Sequence, residues 1–300
     1  MRPALPTASF DDLREAGRQA VEAGRLHEAL GLFDEALRAA RHEGDPERID
    51  LAVCNRSAVA ITLGEGDGEL ARLRAILLRN AHPEACFAAA YNLSRYYELT
   101  KAFKKGLFYG RIARDRARML RRGEYLAKSH NQIGNCLLAE SYFDEAVAEY
   151  QSALDQLGLA DSVEFATVLI NLGYCRTMLG DPREGFRLAF RALRSLRRVG
   201  AHLYEAWPHL DLCYAYLEIG RLERARRHGQ HALALAEKTG HRDLLKNALF
   251  LLGEVEQAEG RSDAAYGHFQ RLQSEFYPES PRLANLMLVV DMRRMINLRA

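Results

Sequence analysis

The chain has 300 residues, 48% of them apolar and 27% charged, and a net charge of +2 at neutral pH. That composition is the composition of a globular protein with a large buried core. A balance so near zero excludes whole-molecule electrostatics as the means of choosing a partner, so every charge argument is local. The five cysteines, Cys54, Cys86, Cys136, Cys175 and Cys213, form no CxxC pair, which excludes a zinc ribbon or a thioredoxin-type site. Their odd number, with no apolar signal segment at MRPALPTASF, points to a reducing cytoplasm. No apolar run approaches the ~18 residues a bilayer span requires.

Residues 1–9, with Pro3 and Pro6 and no periodicity, read as a flexible leader. From residue 10 the chain repeats one grammar: an apolar-periodic run, a short turn, then a second apolar-periodic run. In chain order the breaks fall at Gly24, Gly64, Lys101, Ser141, Gly180, Gly220 and Gly260, spaced by 40, 37, 40, 39, 40 and 40 residues. A period of that kind marks a solenoid and overrides the two domains that length alone suggests. Apolar residues recur at three- and four-residue steps, the helical period. Alternating β-branched runs are almost absent. Seven antiparallel helix pairs are therefore expected over residues 10–277. Gly180 suits the left-handed end of one helix, and Asp181-Pro182 the start of the next.

Small residues hold fixed places. Gly17, Ser57, Ser94, Gly134, Gly173, Cys213 and Gly253 stand seven positions before each break. Ala29, Ala146, Ala225 and Ala265 stand five after it, with Gly106 and Gly185 in the same slot. Closely crossing helices need a side chain without bulk at the contact. Phe33, Tyr150 and Phe269, four positions beyond that alanine, fill the space beside it.

These residues resemble the tetratricopeptide repeat (TPR) family. The likeness rests on Leu172-Gly173, Gly180, Gly185 and Ala192 in the fifth pair and on Ile133-Gly134, Ala146, Tyr150 and Ala153 in the fourth. It covers about residues 10–277 and implies an all-α, right-handed α-solenoid. The family's usual period is about 34, so the pairs here are a long-helix variant. Armadillo and HEAT arrays share the longer spacing but lack the Gly/Ala signature. The second pair departs from the pattern, because GEGDGE lengthens its turn and blurs its second helix.

After Tyr277-Pro278-Glu279-Ser280-Pro281, residues 282–299 read as one more helix, the cap of an open array. The cap is assigned residues 281–300. Its run LMLVV (286–290) is apolar enough to pack on the seventh pair, and it leaves self-association or a partner contact open.

No constellation for catalysis is present: no GxxxxGK[ST], HExxH or GxSxG occurs. The reading is therefore not an enzyme, with no cofactor and no metal. The histidines are scattered and mostly near helix ends, where solvated or capping roles are the default. GEGDGE (64–69) faintly suggests a calcium loop. An EF-hand loop needs a bidentate glutamate at its twelfth position, and counting from Glu65 that place holds Ile76. An elongated polar turn is the better reading.

Two surfaces emerge. Two positions before each small residue of the first helices stand Glu15, Asn55, Asn92, Gln132, Asn171, Asp211 and Leu251. Four consecutive pairs thus carry a carboxamide in one slot, and the next carries an aspartate. A carboxamide both donates and accepts, so such a line can hold the main chain of an extended peptide. The resemblance implies the same, a concave groove with an asparagine ladder. The competing reading is that each amide bonds a neighbouring helix. Arg95, Asn131, Asn135, Tyr174, Trp207 and Tyr214 flank the line and would supply specificity, the aromatics as anchors. The second surface is basic. From Lys101 to Arg122, nine Lys/Arg against one Asp leave +8, with Lys104, Lys105, Arg111, Arg114, Arg118, Arg121 and Arg122 as its members. Such a stripe can follow phosphates or anionic lipid, but a solvated helix face explains it better. Phe103, Phe108 and Tyr109, at helical spacing, read as core. The functional expectation is a non-catalytic scaffold holding an extended partner segment. The alternative is a sensor module for a small signalling peptide or metabolite, controlling an effector on another chain. Composition suggests a bacterial source.

Overall fold

A computed structural model describes residues 8–158, 160–293 and 295–300. Most of the expected leader lies outside them. At every one of the seven breaks the backbone is left-handed: φ is +73° at Gly24, +82° at Gly64, +57° at Lys101, +63° at Ser141, +85° at Gly180, +69° at Gly220 and +76° at Gly260. A single residue in that region turns the chain and lets the next helix run back. Glycine does so without a steric penalty. Lys101 and Ser141 do so against one.

The pairs so formed are α1 (Phe10–Glu22) with α2 (Leu26–Glu43), α3 (Pro46–Thr62) with α4 (Leu70–Arg79), and α5 (Pro83–Leu99) with α6 (Phe103–Leu120). Then come α7 (Gly123–Ala139) with α8 (Phe143–Leu157), α9 (Val163–Met178) with α10 (Pro182–Arg198), α11 (Ala206–Glu218) with α12 (Leu222–Thr239), and α13 (Arg242–Ala258) with α14 (Ser262–Phe276). A short α15 (Leu283–Val289) follows. No strand occurs among the described residues. The fold class is the all-α solenoid of antiparallel helix pairs. Several starts carry side-chain caps: Ser9, Asp45, Ser162 and Asp181 each accept from a main-chain N–H of the first turn, Asp45 and Asp181 directly before a proline.

The chain forms two compact units, Met1–Cys136 and Leu137–Ala300, with the boundary inside α7. In the first, Leu73, Ile76, Cys86, Leu93 and Tyr97 belong to the main apolar cluster. The lengthened turn of the second pair is a 3₁₀ turn over Gly66–Glu69, and α4 packs mainly on α5. Its carboxylates diverge. Tyr96 bonds Asp67. Glu69 is buried and accepts from Arg56, from Ser57 Oγ at 2.8 Å and from Arg72 at 3.0 Å. The turn is thus tied down by an internal ion-pair network.

In the second unit Tyr150, Leu169, Tyr174, Leu196, Leu212 and Phe269 are all but fully buried. The spacing of small and large residues works as expected in both units. Gly17 lies under the ring of Phe33, and Gly253 under the ring of Phe269. Gly173 lies 3.3 Å, measured from where a Cβ would stand, from the carbonyl of Gly185. The five cysteines are free and buried, and burial pushes the thiols of Cys54, Cys86, Cys175 and Cys213 up, away from reactivity.

The helix expected over residues 282–299 stops at Val289. Val290 is extended (φ −120°, ψ 124°), and residues 290–293 and 295–300 lie outside any helix. The local apolar period favours a helix, but the polar side chains of this segment find partners on distant helices instead.

Candidate functional site

First helices of consecutive pairs present corresponding faces, so residues in one slot line up on α9, α11 and α13. In the second unit this face holds described residues between 288 and 299, Leu288, Arg293, Asn297, Leu298 and Arg299 among them. Nearest α15, Gln257 of α13 donates to the carbonyl of Leu288 at 2.8 Å. Arg293 lies 3.3 Å from Glu254 of α13. Further along, the main chain of Leu298 is held on both sides. Its N–H donates to the hydroxyl of Tyr174 at 3.0 Å, and its carbonyl accepts from Asn247 Nδ2 at 2.7 Å. The Leu298 side chain is buried. The Asn297 amide donates to the carbonyl of Leu138 at 2.7 Å and lies 3.1 Å from Ser141 Oγ, and its Oδ1 accepts from Tyr174 at 3.2 Å.

Arg299 closes the set. One guanidinium nitrogen lies 2.6 Å from Asp211 Oδ1, both side chains being buried. The guanidinium carbon lies 4.1 Å from the ring centre of Trp207 and 5.2 Å from that of Tyr174. Trp207 and Asp211 are one turn apart on α11 and so share a face. Tyr214, also buried, has its ring 6.3 Å from that of Tyr174.

Electrostatics here are set by exclusion of water. Burial pushes the Asp211 carboxyl up to about 6, against the pull of Arg299. Burial likewise pushes Glu254 up to about 7. Arg293 opposes that rise and Asp291 adds to it. Asp211 Oδ2, Arg299 Nε and Glu254 Oε1 are buried and make no hydrogen bond.

Residues 164–238 match the family model for the tetratricopeptide repeat. The chain has the tetratricopeptide-repeat fold. Among solved structures it is similar to a Rap protein complexed with Competence and Sporulation Factor, with a TM-score of 0.69, 12% identity, 96% of this chain and 78% of that one. It is also similar to the apo form of RapI, with a TM-score of 0.67, 11% identity and coverage of 96% and 85%. For BtubC (BKLC) from P. vanneervenii the TM-score is 0.55, with 20% identity and coverage of 74% and 90%. At such identities the likeness is one of fold. No curated protein matches the sequence.

Within these TPR units the carboxamide line divides. In the first unit Asn92 is buried and donates to the carbonyl of Cys54 at 2.8 Å, bridging α5 to α3. Gln132 donates to Glu98 at 2.6 Å, and Asn135 also bonds Glu98, whose carboxyl burial pushes up. Arg95 reaches Thr62 Oγ1 at 3.3 Å. Asn55 and Asn131 are half-buried. In the second unit Asn171 is half-buried, while Asp211, Tyr174 and Trp207 meet the segment 297–299. Asn247 and Gln257 belong to no slot in the periodic reading. The available signal is their spacing with Glu254 along one face of α13.

The basic residues Lys104, Lys105, Arg111, Arg118, Arg121 and Arg122 of α6 and the turn after it are exposed, and Arg114 is half-buried. Several already have company: Arg118 lies 3.4 Å from Asp115, Arg122 stacks 4.3 Å from the Tyr125 ring centre and lies 3.6 Å from Glu84, and Lys105 lies over Tyr97. Phe108 is 59% exposed, which corrects its reading as core. It shares an outward stripe with Lys104, Arg111 and Asp115, spaced by helical turns. The histidines are also less scattered than the sequence suggests. In the second unit His209 of α11 lies with its Nδ1 2.8 Å from that of His228 of α12, and stacks on His231. No helix among the described residues is long and apolar enough to cross a membrane.

Proposed function

We propose that the face of α9, α11 and α13 binds an extended segment of a partner protein, and that the chain acts as a non-catalytic interaction module. The observation that carries this reading is the two-sided hold on Leu298. Tyr174 and Asn247 take the N–H and C=O of one residue, a grip that any residue with a main-chain N–H offers in an extended strand. Main-chain capture was assigned from sequence to a carboxamide line. Here a tyrosine of α9 and an asparagine of α13, the first helices on either side of α11, supply it, and Asn171 is assigned a supporting place on the same face. Asn55, Asn92, Arg95, Asn131, Gln132 and Asn135 are assigned to the corresponding face of the first unit, where bonds to neighbouring helices pre-order it. A preformed surface of this kind gains affinity because little ordering is left for binding. Five buried free thiols fit action in a reducing cytoplasm.

The sensor reading is favoured by one observation, the likeness to a Rap protein solved with Competence and Sporulation Factor. Ligand-dependent compaction in small-angle scattering would support it over a rigid scaffold.

The test is selection of displayed random peptides on the full chain and on Trp207→Ala/Asn247→Ala, with helicity checked by circular dichroism. Wild type is expected to enrich a peptide family that the folded variant binds at least ~10-fold more weakly. Equal binding of the selected peptides to both proteins would remove the groove from consideration.

A further inference from the structure

Arg299 fills a pocket whose parts suit a guanidinium. Asp211 supplies a buried carboxylate, and Trp207 and Tyr174 supply two aromatic faces. A guanidinium can bond the carboxylate in its plane while stacking flat on the rings, whereas an ammonium has no flat face to stack and only a point charge to offer. Two residues earlier, the Asn297 amide reaches the Leu138 carbonyl at the end of α7. Between them Leu298 is held by its main chain. Asn297, Leu298 and Arg299 thus fill three adjoining subsites, and Arg293 and Arg299 face the acids Glu254 and Asp211.

The fit is incomplete. Asp211 Oδ2 accepts nothing and Arg299 Nε donates to nothing, so the guanidinium uses one arm where a fork could use two. An occupant tethered to its own site needs no better. A short tether gives an effective concentration of order millimolar, which makes even a modest ligand fill its groove.

We propose that Trp207, Asp211 and Tyr174 form an arginine-selecting subsite, that the partner segment carries an arginine two residues after an asparagine, and that residues 290–300 hold the groove in cis until such a segment displaces them. The inference rests on the groove reading above and adds the ligand's chemistry and its competitor.

The probe is a fluorescein-labelled peptide of residues 290–300, titrated by anisotropy into the full chain and into full-length Asn297→Ala/Arg299→Ala. The variant is expected to bind at least ~10-fold more tightly than wild type, because its own segment no longer competes. A probe with glutamine in place of its last arginine should bind the variant at least ~10-fold more weakly, and one with lysine there should also lose most of its affinity. Equal affinity for the arginine and glutamine probes would overturn the subsite while leaving the groove standing. Equal binding by wild type and variant would overturn occupancy in cis. A folded variant that binds display-selected peptides but not the probe would sink this inference alone. One that binds neither would sink the groove as well.

If the variant does not fold, hydrogen exchange on the wild type decides. The Leu298 amide should be protected at every protein concentration and lose at least ~10-fold of that protection at saturating unlabelled probe. Protection unchanged by bound probe would overturn the proposal. So would protection lost on dilution, which would make the occupant a second copy.

Discussion

Valine in place of Gly253 is expected to lower the unfolding free energy by about 3–5 kcal/mol, read from urea denaturation followed by circular dichroism. The residue sits mid-way along α13 with the ring of Phe269 directly over its Cα. A Cβ there would stand 2.6 Å from Cδ1 and 2.7 Å from Cζ of that ring. Phe269 is fully buried, so the ring cannot swing away without emptying its own site. The whole of α14 must then move off α13, or the ring must adopt an unfavourable rotamer. Alanine in the same place should cost less, about 2–3 kcal/mol. Pairing it with Phe269→Leu should cost clearly less than the sum of the two single changes, because the smaller side chain vacates the overlap. A loss under about 1 kcal/mol for Gly253→Val would show that the two helices can part cheaply, and would remove the close-approach account of the small residues.

Protonation of one buried histidine pair should cost the second unit stability well above the range where ordinary carboxylates titrate. His209 and His228 share one short Nδ1 to Nδ1 hydrogen bond, which requires that one ring donate and the other accept. Burial first, then the neighbouring imidazoles, hold both rings down to about 4 from their ordinary value near 6.5. Glu205 pulls His209 the other way, while Arg197 and His231 reinforce the depression. Arg227 adds to it at His228. The unfolded chain therefore takes up protons before the folded one. The stability tied to this pair is fully present above about pH 6.5 and is lost as pH falls toward about 4. With His228 part-exposed and the two rings coupled, we expect about 3 kcal/mol in total over that window. His209→Phe, which keeps a ring and removes the titration, should flatten much of the slope. Asp211 and Glu254, whose carboxyls burial raises, take up protons first in the folded chain and oppose this loss in the same window, so the comparison decides: equal pH slopes for wild type and His209→Phe between pH 7 and 4.5 would contradict the account.

The architecture was legible because it is a matter of period. Seven breaks read from spacing are seven left-handed residues, Lys101 and Ser141 included, although neither announces itself as a glycine does. Gly17 with Phe33 and Gly253 with Phe269 were legible for the same reason: a fixed offset in sequence is a fixed contact between paired helices. On the face of α9, α11 and α13, slot position singled out Tyr174, Asp211 and Tyr214, and aromatic character added Trp207. It could not say that Asn92 bonds Cys54, since a carboxamide in that slot can face either a neighbour or a ligand. Nor could local pattern follow residues 290–300. LMLVV has helical periodicity, but the path beyond it is decided by Tyr174, Asp211 and Asn247, which lie 124, 88 and 51 residues from their partners in the chain. GEGDGE was legible as a polar turn. The burial of Glu69 under Arg56 was not, because nothing local marks one carboxylate of the three as internal.

The hold on Asn297, Leu298 and Arg299 also sets a clock. If the groove takes a partner as proposed, a newcomer to the same three subsites must wait for the resident residues to leave, whatever its own affinity. Capture then speeds up with partner concentration only until departure becomes the slow step, and beyond that more partner brings no faster response. On that proposal the bonds at Tyr174, Asn247 and Asp211 would govern how quickly the groove answers as well as what it accepts.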